Sequence, residues 1–180
     1  MDEYGQRLEQ KLQFSAARRT MQRAAALLLG WELIRSEIVD KVRDFFTFGF
    51  DASGLVVDPS YQKRVLSRGP RVFDSSVEWL VEAGGLTAQQ AEGLKDLRDY
   101  RNSVAHELGS FLVDPDREVD LSKLDAMREV VGTLGRFWGQ IEVDTNPDFD
   151  GSEVDPQEIS SGYMMLFDFV LSALAEEKPA

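Results

Sequence analysis

The stretch LLLGWELIRSEIVDKVRDF, residues 27–45, decides the fold class because its apolar residues recur with the period of a helix. The repeating positions are Leu27, Trp31, Ile34, Ile38, Val42 and Phe45, at spacings of four, three, four, four and three. This spacing draws one apolar stripe along an α-helix, which predicts that one face of the helix is buried. Gly30 lies inside the run, at some cost to helix stability.

The helical composition continues upstream through Leu8, Leu12 and the alanine-rich segment SAARRTMQRAAA. These residues predict a long N-terminal helix over about residues 2–46. An unbroken helix of that length would measure about 65 Å, far more than a small domain spans. We therefore expect a break in this helix, or an arm that projects onto a partner.

Three more long helices are predicted downstream. Thr87 and Gln90 form a capping box, which predicts a helix over about 87–109. A helical spacing of apolar residues predicts the next one, and its positions are Leu124, Met127, Val131, Leu134, Trp138 and Ile141. Asp155 as a cap and Pro156 as a first-turn proline predict a C-terminal helix over about 156–176.

The segment between the first two long helices is predicted to be less regular. Residues 48–60, FGFDASGLVVDPS, are predicted to form a loop because they contain Gly, Asp and Pro. Two short helices follow at about 61–67 and 72–83. The whole pattern predicts an all-α fold, an antiparallel bundle of about four long helices plus short helices, in a single domain over residues 1–180.

Composition excludes several classes of function. The chain has no cysteine, which excludes disulfides, thiolate nucleophiles and iron-sulfur clusters and is typical of a reducing cytoplasm. The polar N-terminus lacks the apolar run of a signal peptide, and no apolar stretch reaches the roughly 20 residues that a membrane helix needs. A net charge of −12 argues against a broad electrostatic grip on nucleic acid. We expect a cytoplasmic protein with no membrane contact.

The segment LRDYRNSVAHEL, residues 97–108, contains the only histidine of the chain, His106. Arg101 falls in the apolar stripe of its predicted helix, where a leucine would be the ordinary choice, so it needs a partner. His106 is rotated about 140° from Arg101 around an ideal helix. The flank between the two includes the small residues Ala105 and Gly109, which would let another helix approach closely.

The hexapeptide RNSVAH matches the R-x4-H pattern, with a polar residue directly after the arginine, of the HEPN superfamily of small all-helical domains. The chain resembles this superfamily in that motif and in its predicted helices. The resemblance implies a metal-independent endoribonuclease, acting as a toxin or antiphage defence effector, that cleaves RNA by attack of the 2′-hydroxyl. It also implies a homodimer in which two motifs face each other across one composite site.

The resemblance gives each motif residue a role. Arg101 would clamp the phosphate, His106 would act as base or acid, and Asn102 would orient the phosphate or the imidazole. Arg98 and Lys95, earlier on the same helix, are expected to bind the substrate. One chain has one histidine, so a mechanism with two histidines needs two chains.

The expected partners are a second copy of the chain, an RNA substrate, and a cognate antitoxin or a defence-system protein. Many HEPN toxins paired with a nucleotidyltransferase antitoxin carry a tyrosine two residues after the histidine. Leu108 occupies that position here, which argues against silencing by that route. No cofactor is expected. The acidic segment DTNPDFDGSEVD imitates only the start of a calcium loop, so no metal site is expected either.

A structural interpretation stays open beside the catalytic one. Arg101 would then form a buried ion pair with a carboxylate of a facing helix, Glu32, Glu37 or Asp40, and His106 would be an ordinary exposed residue. The protein would be a non-catalytic HEPN-like module for dimerisation or protein interaction. An enzyme should keep Arg101 and His106 accessible, whereas a scaffold should bury Arg101.

Overall fold

The N-terminal segment forms consecutive helices in the computed structural model, which describes residues 2–52, 54–151 and 153–175. Asp2 caps helix α1 (Glu3–Lys11), whose end at Leu12 separates it from α2 (Phe14–Arg35). A π-helical turn (Ser36–Asp40) joins α2 to α3 (Lys41–Phe45). The expected break in the long N-terminal helix is confirmed, and it lies at residues 12–13.

The π-helical turn changes which aromatic residue enters the core. Ile38 and Val42 are buried as the spacing predicts, but the next buried residue is Phe46, at 6% exposure, whereas Phe45 is 47% exposed. A π turn has one more residue per hydrogen-bonded loop than an α turn, so the buried face shifts by about one position. The expectation that Phe45 continues the buried stripe is therefore wrong.

The remaining helices form between residues 59 and 175. They are α4 (Pro59–Arg64), α5 (Val72–Glu82), α6 (Ala88–His106), α7 (Leu108–Val113), α8 (Leu121–Thr145) and α9 (Gly162–Ala175), with 3₁₀ turns at Leu66–Arg68 and Pro147–Phe149. The four longest helices are α2, α6, α8 and α9, so the predicted all-α bundle of about four long helices is confirmed. No helix within the described ranges is long and apolar enough to cross a membrane.

Residues 48–60 are not the loop that their composition predicts. A two-stranded antiparallel hairpin, β1 (Thr47–Asp51) with β2 (Gly54–Val57), occupies most of this segment. Gly54 has a φ of +118°, a conformation that glycine adopts readily and other residues rarely. The amide of Asp58 donates to the carbonyl of Phe46 at 2.7 Å, which closes the base of the hairpin. Its strands are too short for a clear alternation of apolar and polar residues to appear in the sequence.

Side-chain contacts fix the directions of the long helices. Helix α6 runs antiparallel to α8, because Gln90 bonds Thr133 and the hydroxyl of Tyr100 accepts from the amide of Asp120. Helix α9 also runs antiparallel to α8. Its Asp168 pairs with Arg128 at 2.5 Å, and Ser161, just before its start, lies against Gly135.

Helices α2 and α8 run in the same direction. Arg23 pairs with Glu118 just before α8 at 3.6 Å, and further along the two helices the indole of Trp138 donates to the carbonyl of Glu37 at 3.0 Å. An antiparallel four-helix bundle contains such pairs of parallel helices, and each helix of the pair also has antiparallel neighbours.

Two predicted helix bounds are wrong. Helix α6 ends at His106 instead of 109, because Glu107 leaves helical geometry (φ −114°, ψ 22°) before α7 begins. The C-terminal helix begins at Gly162 instead of 156. Asp155 caps only a local turn, accepting from the amide of Gln157 at 2.8 Å, and the hydroxyl of Ser161 caps the helix. The predicted end at 176 lies outside the described residues.

Gly30 lets α9 approach α2 closely. A Cβ on Gly30 would lie 2.6 Å from Cζ of Phe167, a fully buried ring, and 3.1 Å from Sδ of Met127. The contact explains why α2 contains a glycine despite its low helix propensity, since any larger side chain would push the two helices apart.

We expect Gly30→Ala to destabilise the protein by about 1–3 kcal/mol, because the overpacking outweighs the gain in helix propensity. Gly93→Ala in α6 is the matched control, since among the described residues no atom outside its own stretch of helix lies within 4 Å of its Cβ position. That variant should gain about 0.5–1 kcal/mol. Urea unfolding of both proteins checks the pair, and an equally stabilised Gly30→Ala would contradict the close packing of Phe167.

Candidate functional site

Helix α6 positions the motif residues. The hydroxyl of Thr87 accepts from the amide of Gln90, whose side chain in turn bonds Thr87, so the predicted capping box is present. Leu94, Leu97 and Val104 are buried against the bundle, and this fixes the rotation of the helix. The polar motif residues therefore lie at defined positions along its last two turns.

Arg101 faces α2, as its place in the apolar stripe predicts. Its Nη2 lies 3.1 Å from Oε1 of Glu32, and its Nη1 donates to Oδ1 of Asn102 at 3.3 Å. Its Nε is buried without a hydrogen-bond partner in the described part of the chain. Of the three carboxylates proposed as partners, the structure places Glu32 against Arg101.

The Arg101–Glu32 pair is only partly buried. The side chain of Arg101 is 28% exposed and that of Glu32 is 52% exposed. A pair this open contributes little to stability, because water screens both charges. The guanidinium is therefore accessible to an anion, which would compete with Glu32 for its donors.

His106 is the last residue of α6 and is exposed. Ala105 beside it is exposed too, and so is Gly109 in α7, where no atom of a described residue beyond its local backbone lies within 4 Å of the Cβ position. Residues 2–52, 54–151 and 153–175 thus leave the small-residue flank between Arg101 and His106 uncovered. An uncovered strip of small residues permits close approach of another surface.

Arg117 is a second cation near the motif that the sequence did not indicate. Its Nη1 lies 2.5 Å from Oε2 of Glu107, and its Nη2 lies 3.5 Å from Oγ of Ser103. Its guanidinium stacks over the ring of Phe111 at 4.3 Å. Arg117 belongs to the loop after α7, so no helical spacing relates it to the motif.

Arg98 and Lys95 line a cleft of about 600 Å³ between α5 and α6, one turn or more before Arg101. Nη1 of Arg98 lies 3.1 Å from Oδ1 of Asp74, and Arg71 reaches the other oxygen of Asp74 at 2.5 Å. One carboxylate therefore serves two guanidinium groups. Nζ of Lys95 bonds Glu92 at 2.8 Å, and this hydrogen bond raises the pKa of Lys95.

The cleft is lined by four basic residues, three acidic residues and several apolar side chains. Arg68 also lines it and pairs with Glu82, whose pKa the hydrogen bond from Arg68 lowers. Phe73 and Leu94 are among its apolar residues. The cations of the cleft are therefore present, but each is paired with a carboxylate.

The structure thus brings Arg101, Asn102 and His106 to the C-terminal end of α6, and places Arg98 and Lys95 in the cleft beside its middle. Neither the protein-family models nor the curated proteins nor the solved structures with which the chain was compared gave a match. The HEPN resemblance therefore rests on the R-x4-H motif and the helical fold alone.

Proposed function

We propose that this protein is a metal-independent endoribonuclease of HEPN type that acts as a homodimer. The observation that supports it most is the accessibility of the motif: an exposed His106 and a partly exposed Arg101 lie on the last turns of one helix. A motif serving packing alone would be expected to bury the arginine fully.

The side chains present suit cleavage of RNA through its own 2′-hydroxyl. That reaction needs a base for the hydroxyl proton, an acid for the leaving 5′-oxygen, and positive charge beside the phosphorane. His106 supplies the proton transfer, and Arg101 binds the phosphate in place of Glu32. Asn102, already bonded to Arg101, holds the guanidinium in position.

The dimer follows from the single histidine. Base and acid act on opposite sides of the scissile phosphate, so two imidazoles are needed if histidine does both jobs. A two-fold axis beside Ala105 and Gly109 would bring a second His106 to the same site, since both residues are small and exposed. In this arrangement the dimer has one composite site, which contains both motifs.

The cleft lined by Arg98 and Lys95 gives the RNA a place to continue along α6. With a net charge of −12, the protein has little general attraction for RNA, so binding would depend on the local cations of this cleft, released from their carboxylate partners by the RNA phosphates. We propose a cytoplasmic toxin or antiphage effector, held in check by an antitoxin or a defence-system protein.

A second candidate function is a non-catalytic HEPN-like interaction module. The ion pair between Arg101 and Glu32 favours it, since it gives Arg101 a structural role without RNA. Such a module would use the same uncovered flank to dimerise or to bind another protein.

Metal-free cleavage of a mixed RNA pool separates the two candidates. We expect the wild-type protein to cut in the presence of EDTA, leaving cyclic phosphate and 5′-hydroxyl ends, and His106→Ala to lose this activity. Gln89→Ala is the control, because Gln89 is exposed in the first turn of the same helix. Equal cutting by wild type and His106→Ala, or no cutting by a folded dimeric wild type, would favour the interaction module.

A further inference from the structure

A second cleft, of about 450 Å³, lies at the other end of the bundle from the motif. It is formed by the π-helical turn, α8 and the segment before α9, with Glu37, Trp138, Glu142, Phe149 and Ile159 among its lining residues. Trp138 follows Asp120, the neighbour of the motif helix, by 18 residues of α8, which corresponds to about 27 Å. This cleft is therefore separate from the proposed nuclease site.

Glu37 is a buried carboxyl in this cleft with an unused oxygen. Its residue is 1% exposed, and Oε2 has no hydrogen-bond partner in the described part of the chain. Burial raises its pKa to about 7, against the opposing charge of Lys41 one turn later. Burying a carboxyl oxygen without a hydrogen bond is costly, so this oxygen has unused capacity to accept a hydrogen bond from a donor.

The backbone holds Glu37 in place. It belongs to the π-helical turn, a distortion found frequently at functional sites, and its carbonyl accepts from Nε1 of Trp138 at 3.0 Å. The same bond fixes the orientation of the indole relative to the turn that carries Glu37. Both residues line the cleft, so it contains a carboxyl group and an aromatic side chain in fixed positions.

Two glycines of α8 also line the cleft. A Cβ on Gly139 would overlap the side chain of Ile159, and one on Gly135 would lie 2.6 Å from Oγ of Ser161. Because neither glycine has a side chain, the segment before α9 lies directly on the helix. This close approach shapes the cleft and explains the spacing of glycines in GRFWG, residues 135–139.

We propose that this cleft binds a small ligand with a primary ammonium group, whose N–H donors reach Glu37 and whose apolar part lies against Trp138 and Phe149. The lining carries the two acidic residues Glu37 and Glu142 against one basic residue, Lys41, which favours a cation over an anion. An ammonium group gives Oε2 a donor and compensates the buried negative charge. Aromatic faces attract cations as well. The site does not depend on the proposed ribonuclease activity.

Benzylammonium and the uncharged benzyl alcohol are the probes, since they differ in the group that meets Glu37. We expect calorimetric titration of the whole protein at pH 8 to show benzylammonium binding roughly tenfold or more tighter than benzyl alcohol. Chemical-shift changes should concentrate on Trp138 and the backbone of residues 159–162, which places the probe in this cleft.

Two Glu→Gln variants, which remove the same charge at different places, test whether Glu37 itself binds the ammonium group. Glu37→Gln keeps the shape of the side chain and should weaken benzylammonium binding by roughly tenfold or more. Glu129→Gln removes an exposed carboxylate of α8, the helix that carries Trp138, and should change benzylammonium binding by less than about twofold. The proposal is overturned if benzylammonium does not bind, if both probes bind equally, or if a folded Glu37→Gln binds as wild type does.

Discussion

A mixture in which about one tenth of the chains are wild type and the rest carry His106→Ala should cleave RNA at about one hundredth of the rate of undiluted wild type. A composite site with two histidines works only in dimers of two wild-type chains. After free exchange of subunits, the fraction of such dimers is the square of the wild-type fraction. A site complete within one chain would instead retain about one tenth of the rate.

Co-refolding the two proteins at a fixed total concentration provides the exchange, and the cleavage rate is then measured over a series of mixing ratios. Dilution with Gln89→Ala is the control, since that exposed residue lies at the far end of α6 from His106 and should leave the rate unchanged. A linear dependence on the wild-type fraction would contradict the composite site while leaving the ribonuclease activity itself in place.

The sequence predicted the helices whose signal is local and periodic. These signals are the apolar spacing of α2 and α8 and the capping box of α6. Each involves residues only a few positions apart, and each helix appears where it is expected. The rotation of α6 followed as well, so that Arg101 was correctly expected to face another helix. Local periodicity carries this information because the same side chains that form the stripe are the ones buried.

The elements that were missed depend on contacts distant in the chain. Asp155 and Pro156 have the composition of a helix start, but they begin only a turn; Ile159 then packs on Gly139, and the helix starts after Ser161. The π-helical turn, which moves the buried position to Phe46, has no periodic signal of its own. In both cases tertiary packing overrides the local preference.

In the candidate sites, too, the sequence indicates residues that are close in the chain and misses contacts between residues that are distant in it. The motif residues Arg101, Asn102 and His106 were visible because they share one helix. Arg117 approaches them from a loop, and Glu37 meets Trp138 across 101 residues of chain. The sequence indicates Glu37 only as a partner for Arg101, because its unused oxygen depends on neighbours that are distant in the chain.

We compare the free energy of unfolding of Glu37→Gln with that of wild type. The difference should shift in favour of Glu37→Gln by about 3 kcal/mol as the pH rises from 4.5 to 8. The pKa of Glu37 is about 7 in the folded protein, against 4.5 for an ordinary glutamate. Between these values the folded state binds more protons than the unfolded state, so Glu37 makes wild-type stability fall as the pH rises. Glutamine does not ionise and lacks this contribution.

Urea unfolding of both proteins at steps from pH 4.5 to pH 8 measures the difference directly. The change of this difference with pH isolates the ionisation, since any packing defect of the glutamine contributes equally at every pH. Glu129→Gln, which removes an exposed carboxylate of α8, should run parallel to wild type. A constant difference for Glu37→Gln would mean that Glu37 ionises in the folded protein as it does in water. Benzylammonium should reduce the destabilisation of wild type at pH 8, because a bound cation compensates the carboxylate that burial otherwise penalises.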